Sequence, residues 1–279
     1  SVRVGFAQFR PALGDLEANR EAVERLAREA AGADLLVLPE LASSGYAFAS
    51  PEEARTSAEP VPDGPFTRLL VELARRYRLF LAAGVCEEAG GRLYNSAVLV
   101  GPDGLVGLYR KVHLFWNEKD LFAPGDLGFP VFDLRAADLG PERGGWTCRT
   151  GLLICFDWQF PEAWRVLALR GADLVCHPSN LVLPGLAQRA VPVQAMLNRV
   201  WTVLANRYGQ ERDLLFTGRS LVITPRGETA AEGPTEGDAV RIVEIDPAAA
   251  RDKLVTPRND LIRDRRPEFY GLLRGEEPS

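Results

Sequence analysis

Apolar and polar positions along this chain repeat one grammar twice. "LEANREAVERLAREAAGADLLVLPE" predicts an amphipathic helix over 16–31, a stop at Gly32 and a buried apolar strand running out at Pro39 and Glu40. "PEAWRVLALRGADLVCHPSN" repeats the pattern: Pro161 suits a first helical turn, Gly171 a helix exit, and "ADLVCH" the next strand. Between these units, "FLAAGVCEE", "LYNSAVLVG" and "GLVGLYRKVHLF" read as strands joined by the turn signals "GGR" and "GPDG". A further helix over 64–77 carries Leu69, Leu70 and Leu73 on one face, and another is expected near 190–200. "SVRVGFAQF" alternates as a first strand, and "WTVLANR", "RSLVITP" and "AVRIVEID" are late ones. No Ser/Gly linker divides the pattern, so the expectation is one α/β domain spanning 1–279, with helices covering sheets and 250–279 as a C-terminal tail.

Composition narrows the function classes. A chain of 279 residues, 46% hydrophobic, can bury a sizeable core. The net charge of -5, with "RDRR" at 263–266 as the one basic run, argues against a nucleic-acid partner. The absence of a basic n-region with an apolar h-region, and of any apolar run long enough to span a bilayer, leads to the expectation of a cytoplasmic protein with no membrane partner. Cysteines at 86, 148, 155 and 176 form no CxxC pair, and histidines occur at 113 and 177 alone, so neither a disulfide framework nor a metal centre or other cofactor is expected.

Ligands of α/β folds gather where buried strands end. Three strands here run out at a reactive group: "DLLVLPE" at Glu40, "GLYRK" at Lys111 and "GLLICFD" at Cys155. Each has an ordinary alternative, as an ion-pair carboxylate, a solvated strand-edge charge and a small core residue. The lysine shifts the balance. Lysine fills three of the 33 basic positions (111, 119 and 253), so a site that keeps one beside Arg110 asks for a compact ammonium rather than a guanidinium. A thiol becomes a useful nucleophile near neutral pH when a cation or a base favours its thiolate. Lys111 can supply the cation and Glu40 the base. His113 is the alternative base, because strand parity puts it on the face of Lys111. Cys86 and Cys176 read as core, and Cys148 and Cys155 would point to opposite faces of one regular strand.

The segments "LLVLPELASSGY", "YRKVHLF" and "LLICFDWQFPEAWR" resemble, in order, the three blocks of the nitrilase superfamily of carbon-nitrogen hydrolases. The resemblance extends through "VRVGFAQF", "FAPGDLGFPVFDL", "GADLVCHPSN" and "DRRPEFY", and "CFDW" is similar to the aliphatic amidase and nitrilase branch. It implies a four-layer αββα sandwich, a Glu-Lys-Cys triad made of Glu40, Lys111 and Cys155, a fourth functional residue at Glu118, and a homodimer or higher oligomer contacting through helices and tail. Phe156, Tyr46, Trp116 and Asn180 are the candidate substrate contacts, with Trp158 a further aromatic wall. Two positions depart from the family pattern: "CWE" reads Cys-Phe-Asp, and the helix glutamate of "RAxEN" is Leu197. The residues after Cys155 are Asp157, Trp158 and Gln159, which leaves no visible clamp for a substrate carboxylate.

The resulting expectation is a thiol hydrolase that cleaves an amide or N-carbamoyl bond of a small molecule, releasing ammonia through a Cys155 thioester. A nitrile-hydrolysing enzyme is the alternative chemistry, and a non-catalytic scaffold the alternative class.

Overall fold

The structure, a computed structural model, describes residues 1–276; the last three residues of the 250–279 tail lie outside the described residues. The chain begins with β1 (Val2–Gln8), α1 (Leu16–Glu29), β2 (Leu35–Val37), α2 (Pro51–Thr56) and α3 (Pro65–Tyr77), followed by the meander β3 (Phe80–Ala89), β4 (Arg92–Gly101) and β5 (Gly104–Arg110). A short helix α4 (Glu118–Leu121) leads into β6 (Val131–Arg135), β7 (Thr147–Leu152), α5 (Pro161–Leu169), β8 (Leu174–Pro178), α6 (Leu186–Asn198) and β9 (Trp201–Ala205). The hairpin of β10 (Tyr208–Glu211) and β11 (Leu214–Thr217) precedes β12 (Leu221–Ile223), β13 (Thr229–Glu232) and β14 (Ala239–Ile245).

Two six-stranded sheets form, in the orders β14-β1-β2-β3-β4-β5 and β13-β12-β9-β8-β7-β6. Each has a parallel centre, β1-β2-β3 in one and β7-β8-β9 in the other, because helical crossovers join those strands, and each has antiparallel edges. Strand alternation then builds the layers. Val4, Phe6, Leu35, Val37, Ala82, Ala97 and Leu99 share one core with Leu174, Cys176 and Val203 of the second sheet. The intervening positions Leu36, Leu81, Ala83, Val98 and Val100 turn the other way and meet Leu26 of α1 and Leu70 and Leu73 of α3. Trp164 and Leu167 of α5 and Val191 and Ala195 of α6 close the second sheet. This is the four-layer αββα sandwich, and it leaves the ends of both parallel centres at one cleft.

Two helices differ from the expected bounds by two residues or more. Helix α1 stops at Glu29, before 31, with Ala30 as its cap and Gly32 turning the chain at φ +102°. Helix α6 starts at Leu186, before 190, and encloses Pro192, a residue that more often marks a helix beginning. Among the described residues, no helix is long and apolar enough to cross a membrane, and no group of three or more His, Cys, Asp or Glu side chains is placed to hold a metal ion.

Candidate active site

Glu40 lies in the turn three residues beyond β2, where the backbone presses against β3. A Cβ at Gly84 would come within 2.1 Å of the Leu41 nitrogen and 2.5 Å of the Glu40 Cα, so glycine is what lets the Glu40 turn sit there. Lys111 directly follows β5, its N–H donating to the Asn95 carbonyl at 2.8 Å. Gly125 admits the neighbouring loop in the same way, since a Cβ there would meet the Arg110 carbonyl at 1.9 Å.

These turns bring three charged side chains into one buried cluster. Lys111 Nζ donates to Glu40 Oε1 at 2.8 Å and to both oxygens of Glu118, at 2.8 and 2.9 Å. Asn95 Nδ2 ties the same two carboxylates together at 2.7 and 2.9 Å. The Tyr46 hydroxyl and the Phe115 N–H donate to Glu118 Oε2 at 3.0 and 3.1 Å. Burial alone would strip Lys111 of its proton, but Glu118 and Glu40 outweigh it and raise its pKa, so it stays an ammonium. Burial raises the Glu118 pKa, Lys111 opposes this, and the charge of Glu40 adds to it. Glu40 Oε2 is buried with no hydrogen-bond partner among the described residues. It is an acceptor in waiting.

Cys155 belongs to the second sheet. Strand β7 ends at Leu152, and Cys155 opens a single 3-10 turn, Cys155–Gln159, at φ +41°. A left-handed conformation costs a residue with a Cβ roughly 1–2 kcal/mol and persists only where the surroundings impose it. Here they do. His177 on β8 holds the Cys155 carbonyl through Nε2 at 2.9 Å. Asp157 Oδ2 accepts from the Ile154 N–H at 2.8 Å and from the Tyr109 hydroxyl at 2.7 Å, while Oδ1 pairs with His113 Nδ1 at 2.7 Å. Because strand and thiol separate at Leu152, the parity comparison of Cys148 with Cys155 does not apply.

His113 also departs from expectation. Strand β5 ends at Arg110, so the parity with Lys111 is lost, and the imidazole turns to Asp157 and stacks on Phe160 with ring centroids 3.6 Å apart. It braces the turn that carries Cys155. The other correction concerns the thiol itself. Burial, then the charge of Glu40, raises the Cys155 pKa well above its ordinary value; Lys111, its charge shared by two carboxylates, and the Asn180 N–H pull the other way without prevailing. At rest Cys155 is a thiol. Cys86 and Cys148 are core thiols pushed up to about 12 by burial, and burial likewise raises Cys176 well above its ordinary value.

The expected contact residues are dispersed around this centre. Tyr46 is packed against Glu118, Phe156 stands half-buried between Phe115 and Trp158, and Trp116 is 69% exposed on the rim. Phe156, Trp158 and Asn180 line the small cavity at Cys155. Both side-chain polar atoms of Asn180 are buried and unpartnered among the described residues. Asn95, Tyr109, Asp157 and His177 were not anticipated. Asn95 had a signal, a polar residue in the inner-face register of Ala97 and Leu99 within an apolar strand; the other three act through contacts that only the fold reveals.

A sandwich of this kind with a thiol, an ammonium and two carboxylates in its cleft defines a class of hydrolases. The chain matches the carbon-nitrogen hydrolase family model over residues 3–253, and it belongs to that family. It is 44% identical to a nitrilase of Pyrococcus abyssi over 96% of this chain and 99% of that one, and 31% identical to an N-carbamoylputrescine amidase of Arabidopsis thaliana over 93% and 91%. Among solved structures, the amidase of Nesterenkonia sp. AN1 superposes with a TM-score of 0.79 at 26% identity, covering 98% of this chain and all of that chain; that structure shows acrylamide added to the active-site cysteine. The protein is thus a carbon-nitrogen hydrolase of the nitrilase superfamily, whose catalytic set is a Glu-Lys-Cys triad.

Proposed function

We propose that this hydrolase is an amidase-type enzyme, cleaving the carbon-nitrogen bond of a small neutral amide or ureide with Cys155 as nucleophile, Glu40 as base and Lys111 as oxyanion donor. In this reading Cys155 Sγ attacks the carbonyl carbon while Glu40 Oε2 takes the thiol proton. The oxygen, now negative, is met by Lys111 Nζ and the Phe156 N–H. Glu40 passes its proton to the leaving nitrogen, ammonia departs, and a thioester remains. Water then attacks the thioester as Glu40 accepts its proton, and collapse returns the thiol and releases a carboxylic acid. Glu118, bonded to Lys111 through both oxygens, keeps the ammonium aimed and charged. Asn180, with Tyr46, Phe156 and Trp116 around the cleft, contributes to substrate contact through its unpartnered amide.

The single observation that carries this reading is the unpartnered Glu40 Oε2 in a buried cluster next to a protonated thiol. An oxygen left free to accept a proton, facing a thiol that still holds one, is the arrangement such a mechanism starts from. The test is ammonia release from acetamide, propionamide and phenylurea by the purified protein. Turnover that survives Glu40→Gln would sink the assignment. The nitrilase name of the archaeal relative favours a second reading, attack of the same thiol on a nitrile carbon. Matched amide and nitrile pairs compared by kcat/KM separate the two.

We further propose that the chain forms a single domain that pairs with a second copy through its tail. Phe269, Leu272 and Leu273 are each about two-thirds exposed, and Leu273 lines one cavity with Leu169 of α5 and Leu197 of α6. Light scattering before and after removal of residues 257–279 checks it: a mass that stays that of a monomer in both would be decisive against the tail as an interface.

A further inference from the structure

The cavity directly at Cys155 is about 10 Å³, room for about one water-sized group. A substrate's acyl arm must therefore leave it. Three of its walls, Phe115, Val182 and Leu183, continue as one side of a groove of about 530 Å³. Leu215 and Phe216 of β11 and Trp116 line the same groove. Trp116 is held in the left-handed region at φ +43° and 69% exposed, and Leu215 is 63% exposed. Large apolar side chains kept in water around a groove continuous with a nucleophile's cavity mark a surface for an apolar ligand.

Charge points the same way. Arg219 is the cation among the described residues lining the groove, and its Nε is already bound to Glu232 at 2.6 Å. Asp213 and Glu236 stand along the same groove and repel an anion. A second groove, of about 360 Å³ and lined by Tyr46 and Glu118, also meets the Cys155 cavity, but at Phe115 alone, where the first shares Val182 and Leu183 as well.

We propose that the groove between Leu183 and Leu215, beneath Trp116, seats an uncharged apolar acyl arm several carbons long, so that the substrates are amides of medium-chain or aryl acids rather than amides carrying a carboxylate. This rests on the amidase reading above and specifies its substrate class. The occupant is the substrate's own arm; a protein partner over the same face is the competing outcome.

The test separates binding from turnover. Acetamide, butyramide, hexanamide, benzamide and succinamate are titrated calorimetrically into Cys155→Ala protein. The expected result is an affinity that rises about threefold per methylene toward hexanamide, in keeping with the transfer free energy of a partly buried methylene, with succinamate at least about tenfold weaker than butyramide. Leu215→Asp in the same background should flatten the series. Affinity independent of arm length, failure of hexanamide to bind, a preference for succinamate, or an unchanged series in Leu215→Asp would each overturn the proposal, and the first two are what a groove reserved for a protein partner would give. Ammonia release by the unaltered enzyme judges the amidase reading by itself. Length-dependent binding without turnover leaves the groove standing and removes the reading; turnover with length-independent binding does the reverse.

Discussion

The two sheets supply opposite kinds of group to one cleft. The first contributes Glu40, Lys111 and Glu118, charges that hold one another by direct hydrogen bonds while almost wholly out of water. The second contributes Cys155, His177 and Asn180, neutral at rest, with Cys155, the proposed nucleophile, fixed by bonds to its backbone rather than to its side chain. One side is rigid because its members attract, the other because its surroundings leave no alternative shape. The difference teaches that deleting a charge and deleting the nucleophile should abolish activity at very different costs to the fold.

The largest expected effect follows directly. Lys111→Met leaves two buried carboxylates facing each other without a cation, so activity should vanish and stability should fall by about 3–5 kcal/mol, read by urea unfolding. Cys155→Ala should silence the enzyme equally while moving stability by less than about 1 kcal/mol, because a strained turn loses only a small apolar group. Equal stability loss in both variants would erase the distinction between the two halves. Lys111→Arg comes next: the charge is kept, but a planar fork cannot donate to both carboxylates from one point, and a drop of at least about 100-fold in kcat is expected.

His177 tests the neutral side. Burial, opposed by its bond to the Cys155 carbonyl, lowers its pKa to about 4. The unfolded chain therefore takes up a proton near pH 6.5 that the folded protein refuses until about pH 4. The associated stability is fully present above pH 6.5 and is lost as pH falls through that window, about 3 kcal/mol in all. His177→Phe should remove this share of the acid slope, seen by comparing urea midpoints of both proteins at pH 7 and pH 5, and should lower kcat more than it raises KM. The smallest effect belongs to His113→Ala. Asp157 keeps the Ile154 N–H and the Tyr109 hydroxyl without it, so kcat/KM should fall less than about tenfold. A loss matching that of Cys155→Ala would restore the histidine as the base.

What the chain's pattern made legible was whatever depends on neighbours in sequence. The helix–glycine–strand units, the crossover helices and the positions of Glu40, Lys111 and Cys155 past strand ends all follow from local periodicity and chain order. Helix α2 was equally available: Ser50 caps it by accepting from the Glu53 N–H, and Pro51 opens it, a start signal without a long apolar face to draw the eye. The brace on the nucleophile was not available. Asp157 gathers Tyr109 and His113 from 48 and 44 residues away, and His177 reaches Cys155 across 22. Such contacts have no period. Strand parity failed for His113 and for Cys148 against Cys155 for one reason, that both strands stop before the residue in question.

The protonated state of Cys155 reaches beyond turnover. Peroxide and general alkylating agents attack thiolates, and oxidation of a cysteine follows its thiolate character and its access to solvent. Burial leaves 6% of Cys155 open to solvent and raises its pKa, which disfavours both reactions at rest; in the proposed mechanism a bound substrate is what brings the proton to Glu40. On the mechanism proposed above, the coupling that keeps the proton on Cys155 until a substrate is seated would give the resting protein a chemical quietness, and an electrophile's success at this sulfur would depend on how well it imitates the substrate rather than on how reactive it is.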